Sequence, residues 1–180
     1  MPFVTFVTRC NGRPRMLAAN KLSVAEQTDQ DWEQILITDA TGMGIYAANR
    51  SLAANGHRVV GEWVYILDDD NHLVDTQFVA TIRKLAKNEK CDIIVVKSVW
   101  MGGIILPRPE YWGRPPARGQ IDSLNVIVRQ PIWKRHIAAF GKPSCGDFHF
   151  IKELFDYEYQ VCWIDRVVAA VQQIGSLTGR

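Results

Sequence analysis

Residues 63–71 read WVYILDDDN, five consecutive apolar residues that run directly into three aspartates. A short apolar run bounded by polar residues predicts a strand that is buried on both faces. Strands of this kind are typical of parallel sheets, in which helices cover both faces. In an open parallel sheet the ligand lies beyond the carboxyl ends of the strands, so we predict that the three aspartates face a binding crevice.

Segments on both sides of this strand alternate between strand-like and helix-like patterns. Further strands are predicted over residues 3–8 (FVTFVT), 33–38 (EQILIT) and 91–98 (CDIIVVKS), where β-branched and apolar residues cluster. Helical spacing predicts helices from Pro14 to about Val24, from about Ile45 to Asn55 and from about Phe78 to Leu85. This alternation predicts a mostly parallel, doubly wound α/β sheet.

The second half of the chain begins with an irregular segment. Residues 101–119 (MGGIILPRPEYWGRPPARG) are rich in proline and glycine, and loops of this length in compact domains are often functional. A strand is then predicted near residues 124–129, a short helix near 131–137, a helix from about Asp147 to Tyr157 and a strand over 160–165. Because the chain has 180 residues, we predict one domain over residues 1–180.

The composition excludes several classes of protein. Of the 180 residues, 47% are hydrophobic and 22% are charged, which is ordinary for a globular domain and unlike a disordered chain. The net charge of +2 is too small for a dedicated nucleic-acid-binding protein. No apolar run exceeds five residues. We therefore predict no nucleic-acid partner and no membrane span.

The amino terminus and the cysteines bear on the compartment. The start MPFVTFVTRCNG lacks the charged and then apolar stretches of a secretory signal. The four cysteines, at positions 10, 91, 145 and 162, form no CxxC pair and do not resemble the framework of a small secreted domain. We therefore predict reduced, mostly structural thiols and a cytoplasmic protein.

The acidic segment Asp68, Asp69 and Asp70 is the strongest chemical signal in the sequence. Three adjacent carboxylates repel one another, so we expect a cation to compensate their charge. Hard oxygen ligands favour a divalent ion such as Mg²⁺ or Mn²⁺, shared with the phosphates of a substrate. The alternative is a solvated acidic turn without a ligand.

Polar residues follow two other predicted strands at the same edge of the sheet. Asp39 ends the second strand, and its carboxylate could accept the N3–H of a uracil or thymine ring. Thr8, Arg9 and Asn11 end the first strand, and backbone groups there together with Arg13 could hold the base and a diphosphate. The alternative for Asp39 is a cap of a helix or turn.

Three segments taken together resemble the family 2 glycosyltransferases, which have the GT-A fold. The segments are FVTRCNGRPRMLAANKLSVAEQTDQDWEQILITD, then GEWVYILDDDN, then GDFHFI, and the resemblance covers roughly residues 3–154. It implies a metal-dependent, inverting, hexosyltransferase-like reaction that moves a sugar from a nucleotide diphosphate to an acceptor hydroxyl. It also implies a nucleotide-sugar-binding half of about residues 1–98 and an acceptor-binding half of about 99–180.

The resemblance assigns roles to individual residues. It makes Asp39 the contact to the nucleobase, Asp68 the first acid of a DxD-type motif and Asp69 a contact to the ribose. It makes Asp70 the ligand of Mn²⁺ or Mg²⁺, and Asp147 the catalytic base. Gly146 stands where the family has another acid, which can supply a secondary contact to the acceptor. The next candidates for the base are Asp122, Glu110 and His149.

Aromatic residues in and beside the irregular segment are candidates for acceptor binding. Trp100, Tyr111 and Trp112 could each place a flat ring against the apolar face of a sugar, and ordinary packing is the alternative. Arg118 in the same segment could contact a diphosphate or an anionic acceptor.

Two other functions stay open at this stage. A sugar-nucleotide nucleotidyltransferase could use a similar sheet, although TRCNGRPRM is a poor match to the glycine-rich, basic phosphate loop of that class. A module that binds a nucleotide sugar without catalysis is the other alternative, because Gly146 replaces an acid. Formation of a product would distinguish the transferase from the binding module.

Overall fold

The computed structural model describes residues 1–38, 44–88, 90–143 and 145–172. The strands in these ranges are β1 (Val4–Cys10), β2 (Trp32–Thr38), β3 (Trp63–Ile66), β4 (Asn71–Leu73), β5 (Ile93–Val99), β6 (Ile105–Leu106), β7 (Val126–Arg129) and β8 (Val161–Val171). The helices are α1 (Pro14–Ala25), α2 (Ile45–Asn55), α3 (Phe78–Asn88), α4 (Gln130–His136) and α5 (Gly146–Asp156). Among the described helices, none combines the length and the apolar character needed to cross a bilayer.

The described strands form one mixed sheet in the order β2-β1-β3-β7-β5-β8-β4, with β6 paired to β5. β1 is parallel to β2 and β3, and β5 is parallel to β8. β7 lies antiparallel between β3 and β5, so β3 and β5 point in the same direction. Five of the eight described strands therefore share one direction, and the predicted mostly parallel sheet is confirmed.

Helices cover both faces of the sheet, as the doubly wound prediction requires. On one face Phe78 of α3 packs with Phe6 of β1 and Tyr65 of β3. On the other face Trp133 of α4 belongs to the same apolar cluster as Val64 of β3. Neighbouring residues of a strand point to opposite faces, which is why Val64 and Tyr65 belong to different clusters.

The carboxyl ends of β1 and β3 lie side by side. The register pairs Val7 with Ile66, and the pairing continues past the end of β3. The Leu67 N–H donates to the Val7 carbonyl at 3.0 Å, and the Asp69 N–H donates to the Arg9 carbonyl at 3.2 Å. This backbone pairing brings the acidic segment directly beside the end of β1.

The prediction of four reduced cysteines is wrong for one pair. Cys91 and Cys162 form a disulfide, with Cα atoms 5.8 Å apart and a sequence separation of 71. The pairing arises because β5 and β8 are neighbours, with Ile94 opposite Cys162, and sequence spacing carries no information about that contact. Cys10 and Cys145 are free. The cytoplasmic compartment stays a prediction, and it no longer has support from reduced thiols.

We expect the disulfide to stabilise the fold by closing a long loop in the unfolded chain. The double variant Cys91→Ala/Cys162→Ala should lose about 2 to 4 kcal/mol of unfolding free energy. Urea denaturation of the wild type with and without reductant, and of the variant, measures this difference. Reductant should have no effect on the variant. If reductant leaves the unfolding midpoint of the wild type unchanged, the disulfide does not contribute to stability.

Candidate functional site

A buried ion pair joins the ends of β1 and β3. The Arg9 Nε donates to Asp68 Oδ1 at 2.6 Å, a second guanidinium nitrogen donates to Asp68 Oδ2, and the third donates to Asn49 Oδ1 of α2. Arg9 is only 7% exposed. Burial by itself would lower the pKa of Arg9, but the charge and hydrogen bonds of Asp68 outweigh it and raise that pKa. Arg9 is therefore a permanent cation, and it is committed to Asp68.

Arg13 neutralises the other two acids. One guanidinium nitrogen donates to Asp70 Oδ2 and another donates to Asp69 Oδ1. Asp69 is fully buried, and its second oxygen accepts the Asn11 N–H at 2.7 Å. Burial, and then the charge of Asp68, raise the pKa of Asp70 against the opposing effect of Arg13. The charge compensation predicted for the acidic segment is therefore provided by arginines in this structure.

Two buried amides fix the backbone of the acidic segment. The Asn20 side chain of α1 donates to the carbonyls of Leu67, Asp68 and Asn71 at 3.1, 2.9 and 2.9 Å. The backbone N–H of Gln172 donates to the Asp70 carbonyl at 2.7 Å. Sequence reasoning assigned neither amide a role. A polar residue on the buried stripe of α1 is the signal that could have identified Asn20.

The acidic segment opens on a central cavity of about 360 Å³. Arg9, Arg13, Asp68 and Asp70 line it from the first half of the chain. From the second half it is lined by Trp100, Asp122 and Asp147, among others. A side cavity of about 180 Å³ adjoins it next to α2 and shares the same two arginines and two acids. The sequence-predicted residues are thus brought together from distant parts of the chain.

An outer cavity of about 280 Å³ lies on the other side of three residues. Trp100, Asp122 and Asp147 line both the central and the outer cavity, and among the described residues no others do so. Arg118 and Phe148 line only the outer cavity. These three shared residues, which we call the dividing wall, separate a charged space from a more apolar one.

Asp147 lies in the first turn of α5, as the sequence predicted. Its carboxylate is half-buried, and Oδ1 accepts the Phe148 N–H at 2.8 Å. A negative charge is favourable at the N-terminus of a helix. Of the other candidates for the base, Asp122 belongs to the dividing wall, while Glu110 and His149 are not among the residues that line the three cavities.

Gly146 is required by packing. A Cβ atom at this position would lie 2.3 Å from the carbonyl oxygen of Phe140 and 2.9 Å from Nδ2 of Asn49. No side chain fits without moving backbone. The absence of an acid next to Asp147 therefore follows from the close approach of α5 to the segment that ends near Phe140.

Asp122 is held by two hydrogen bonds within its own turn. Oδ1 accepts the Leu124 N–H at 2.8 Å, and the Asp122 N–H donates to Asn125 Oδ1 at 3.1 Å. Burial raises the pKa of Asp122 to about 7, partly offset by the Leu124 hydrogen bond, and the negative charge of Asp147 acts in the same direction as burial.

The three aromatic candidates do not share one place. Trp100 belongs to the dividing wall. Trp112 packs edge-on against Trp163 of β8, with ring centres 5.0 Å apart, and Lys97 Nζ lies 4.9 Å from its ring centre. Tyr111 lines a small surface pocket that Trp163 also lines. An acceptor-binding role remains a prediction for all three residues, but the geometry favours it only for Trp100.

The remaining residues predicted to bind the nucleotide also lie in different places. Thr8 is fully buried within the sheet, and its hydroxyl accepts a hydrogen bond from Gln34 at 2.8 Å. Asn11 is exposed and lines the side cavity. Asp39 lies outside the described residues, so its contact to a nucleobase stays a prediction.

The donor set allows a divalent ion at one place. Both oxygens of Asp68 bind Arg9, and both oxygens of the buried Asp69 are engaged, which leaves Asp70 as the acid of this segment that can offer an oxygen to the cavity. Within the described ranges, no group of three His, Cys, Asp or Glu side chains could hold a metal ion. Mg²⁺ is commonly held by one or two carboxylates together with substrate phosphates, and Asp70 fits that arrangement.

The fold is that of the GT-A-type glycosyltransferases, as comparison with solved structures shows. S. aureus TarS 1–349 superposes with a TM-score of 0.73 at 13% identity over 96% of this chain, and its complex with UDP-GlcNAc does so with a TM-score of 0.70 at 14% identity over 96%. The mannosyltransferase PcManGT from Pyrobaculum calidifontis, in complex with GDP-Man and Mn²⁺, gives a TM-score of 0.64 at 16% identity over 94%. No model of a known protein family and no curated protein sequence matches this chain.

The chain is shorter than these structural neighbours. It spans 60% of the TarS 1–349 chain, 59% of that chain in the UDP-GlcNAc complex and 56% of the mannosyltransferase chain. The likeness at this level of identity concerns the fold, so the activity of this chain has to be argued from its own residues.

Replacing Gly146 by alanine tests the packing at the start of α5. We expect a loss of about 1–3 kcal/mol of unfolding free energy, because overpacking of a filled site costs about that much. The matched control is Gly141→Ala, where the added Cβ would lie 3.7 Å from the Ala53 Cβ, an ordinary contact. Chemical denaturation of both variants gives the comparison. Equal stability of Gly146→Ala and the wild type would contradict this account of Gly146.

Proposed function

We propose that this chain transfers a sugar from a nucleotide diphosphate to a hydroxyl group of an acceptor. One observation carries the proposal, the position of Asp147 between the central cavity, which also contains Asp70 and Arg13, and the outer cavity. Such a transferase needs one space for the donor, one for the acceptor, and a base where they meet. In this proposal the donor binds in the central cavity and the acceptor in the outer one.

The diphosphate of the donor binds near Arg13. This residue lines the central and side cavities, and within the described structure its Nε atom is buried without a hydrogen-bond partner. A guanidinium group suits phosphate oxygens because it offers several donors in one plane. Asp70 and the phosphates together would hold Mn²⁺ or Mg²⁺, a Lewis acid that stabilises the charge developing on the departing diphosphate.

Asp147 is the general base of the proposed reaction. It removes the proton of the acceptor hydroxyl as that oxygen bonds to the anomeric carbon and the bond to the diphosphate breaks. In the proposed arrangement the hydroxyl attacks from the outer cavity and the diphosphate departs into the central cavity. That geometry inverts the configuration of the anomeric carbon, which agrees with the outcome that the sequence resemblance implies.

The class of donor has partial support. TarS 1–349 is found with UDP-GlcNAc and the mannosyltransferase with GDP-Man and Mn²⁺, which supports a nucleotide sugar in general. A carboxylate at position 39 favours uracil or thymine through their N3–H group, and we therefore propose UDP or dTDP as the carrier. Residues of about 1–98 would bind mainly the donor, and residues of about 99–180 would bind mainly the acceptor.

Replacing Asp147 by asparagine separates catalysis from binding. The amide keeps the shape of the side chain and can still cap α5, but it is not a base at neutral pH. We expect transfer to fall by about 10²–10⁴-fold, the usual effect of losing a general base, with donor affinity changed less than about fivefold. Nucleotide release from UDP-GlcNAc, dTDP-glucose and GDP-mannose measures the rate of transfer, and calorimetry measures the donor affinity.

The control for this experiment is Asp156→Asn, at the exposed carboxyl end of the same helix, where the carboxylate pairs only with the exposed Lys152 in the described structure. This variant should behave as the wild type, because exposed ion pairs contribute little. An Asp147→Asn enzyme with the wild-type rate would remove Asp147 from the mechanism. Absence of donor binding by the wild type would contradict the proposed function itself.

Asp70 is tested by the effect of a divalent ion on nucleotide binding. In the wild type, Mn²⁺ should strengthen the binding of UDP, because the ion would bind Asp70 and the diphosphate together. In Asp70→Asn this strengthening should fall about tenfold or more, since the ion loses its protein carboxylate. Calorimetry with Mn²⁺ and with EDTA measures both proteins, and Asp156→Asn serves again as the control. An unchanged Mn²⁺ effect in Asp70→Asn would exclude Asp70 as the ligand.

A further inference from the structure

Asp122 is the acid of the dividing wall to which the proposed function gives no role. Asp122 lines both the central and the outer cavity, as Asp147 does. The two acids come from different elements, Asp147 from α5 and Asp122 from the turn before β7. The wall therefore presents two carboxyl groups at the place where donor and acceptor would meet.

The buried side chain of Asn125 fixes the turn that carries Asp122. Asn125, which is fully buried, donates from Nδ2 to the carbonyls of Val96 and Leu106 at 3.1 and 3.0 Å and to Ser98 Oγ at 2.9 Å. Asn125 also accepts the Asp122 N–H. A side chain held in this way keeps its direction without a ligand, which lowers the entropy lost when a ligand binds.

Capping the turn does not explain an aspartate at this position. Oδ1 accepts the Leu124 N–H, and the Trp100 side chain beside the carboxyl group partly offsets the rise that burial causes in the pKa of Asp122. A neutral asparagine would accept from both groups without burying a charge. The charged groups around Asp122 are mainly acidic. Asp147 faces it from α5, Asp68 acts from the end of β3, and Arg118 lines the outer cavity from the irregular segment.

We propose that Asp122 is an acceptor-binding residue whose carboxyl group donates a hydrogen bond from Oδ2 to an oxygen of a saccharide acceptor, next to the hydroxyl that Asp147 deprotonates. The proposal rests on the proposed transfer reaction. The proton of the attacking hydroxyl goes to Asp147, the leaving group is the nucleoside diphosphate, and Asp122 keeps its own proton throughout. A saccharide with two neighbouring hydroxyl groups can engage both acids at once.

The protonation state supports a donor role. Burial and the charge of Asp147 raise the pKa of Asp122 to about 7, so the group is largely neutral in slightly acid solution. Only a neutral carboxyl group can donate a hydrogen bond. A neutral Asp122 also leaves the single negative charge of the pair on Asp147, where the base has to be. Gly146 has no room for a side chain, and Asp122 is the second acid of the dividing wall.

Binding of saccharide probes tests Asp122 without requiring transfer. Saturation-transfer NMR would measure methyl and p-nitrophenyl glycosides of glucose, galactose, mannose and N-acetylglucosamine on the wild type, Asp122→Ala, Asp122→Asn and the control Asp156→Asn, each with UDP present. We expect at least one glycoside to bind. Asp122→Ala should weaken it about tenfold, since a buried partner loses its hydrogen bond, whereas Asp122→Asn still donates and should stay within about threefold.

The pH dependence distinguishes donation from a purely structural role. Glycoside affinity of the wild type should fall between about pH 6 and 8 as Asp122 ionises, and affinity of Asp122→Asn should not. Stability gives a second readout. The unfolded carboxyl ionises near about 4 and the folded one at about 7. Between these two pKa values the folded wild type retains a proton that its unfolded chain has lost. Its stability relative to Asp122→Asn therefore falls as pH rises from about 4 to about 7.

Each result decides a claim. Glycoside binding that depends on Asp122, survives in Asp122→Asn and weakens with rising pH only in the wild type supports the proposal. Equal binding by Asp122→Ala, a pH-independent wild type, or no glycoside bound by the wild type overturns it. Binding with this dependence, but no nucleotide release from any nucleotide sugar, overturns the proposed transfer and leaves Asp122 as part of a saccharide-binding site.

Discussion

The buried ion pair between Arg9 and Asp68 is the interaction on which the rest of the site depends. It ties the end of β1 to the segment after β3, and the same guanidinium binds Asn49 of α2. The side-chain amide of Asn49 lies next to Gly146 at the start of α5. From β1, Arg9 thus binds the segment after β3 and α2 directly, and it is linked to α5 through Asn49. Loss of one partner of a buried pair typically costs about 3–5 kcal/mol because a charge is left uncompensated.

This pairing divides the acids of the cleft into two groups. Asp68 and Asp69 have both oxygens engaged by protein groups, so they stabilise the cleft and have little left to offer a ligand. Asp70, Asp122 and Asp147 each line the central cavity, where their carboxyl groups are available to a ligand. An acidic motif in the sequence cannot distinguish these groups, because which oxygen is engaged depends on one arginine in β1 and one just before α1.

Much of the fold could be predicted because its decisive patterns are local. Apolar runs marked β1, β2, β3 and β5, and apolar spacing marked the helices between them. The missed strands, Asn71–Leu73 and Ile105–Leu106, are too short to show a pattern. The antiparallel direction of β7 and the Cys91–Cys162 bond depend on which strands become neighbours, which is a property of the whole chain. That Asp70 and Asp147 line one cavity was predictable to the same extent, since both follow local motifs, and their roles there are proposals.

Some predicted site residues lie away from the three cavities, for physical reasons of the same kind. Thr8 lies within β1, before the strand ends. The alternation of side chains along the strand directs its hydroxyl towards Gln34 of β2. Trp112 meets Trp163, a residue about fifty positions later that the sequence could not associate with it. Gly146 is the opposite case. It departs from the family pattern because packing leaves no room for a side chain at that position. A motif position therefore indicates chemistry only when the surrounding backbone leaves room for the side chain, and at the start of α5 that room exists for Asp147 but not for its neighbour.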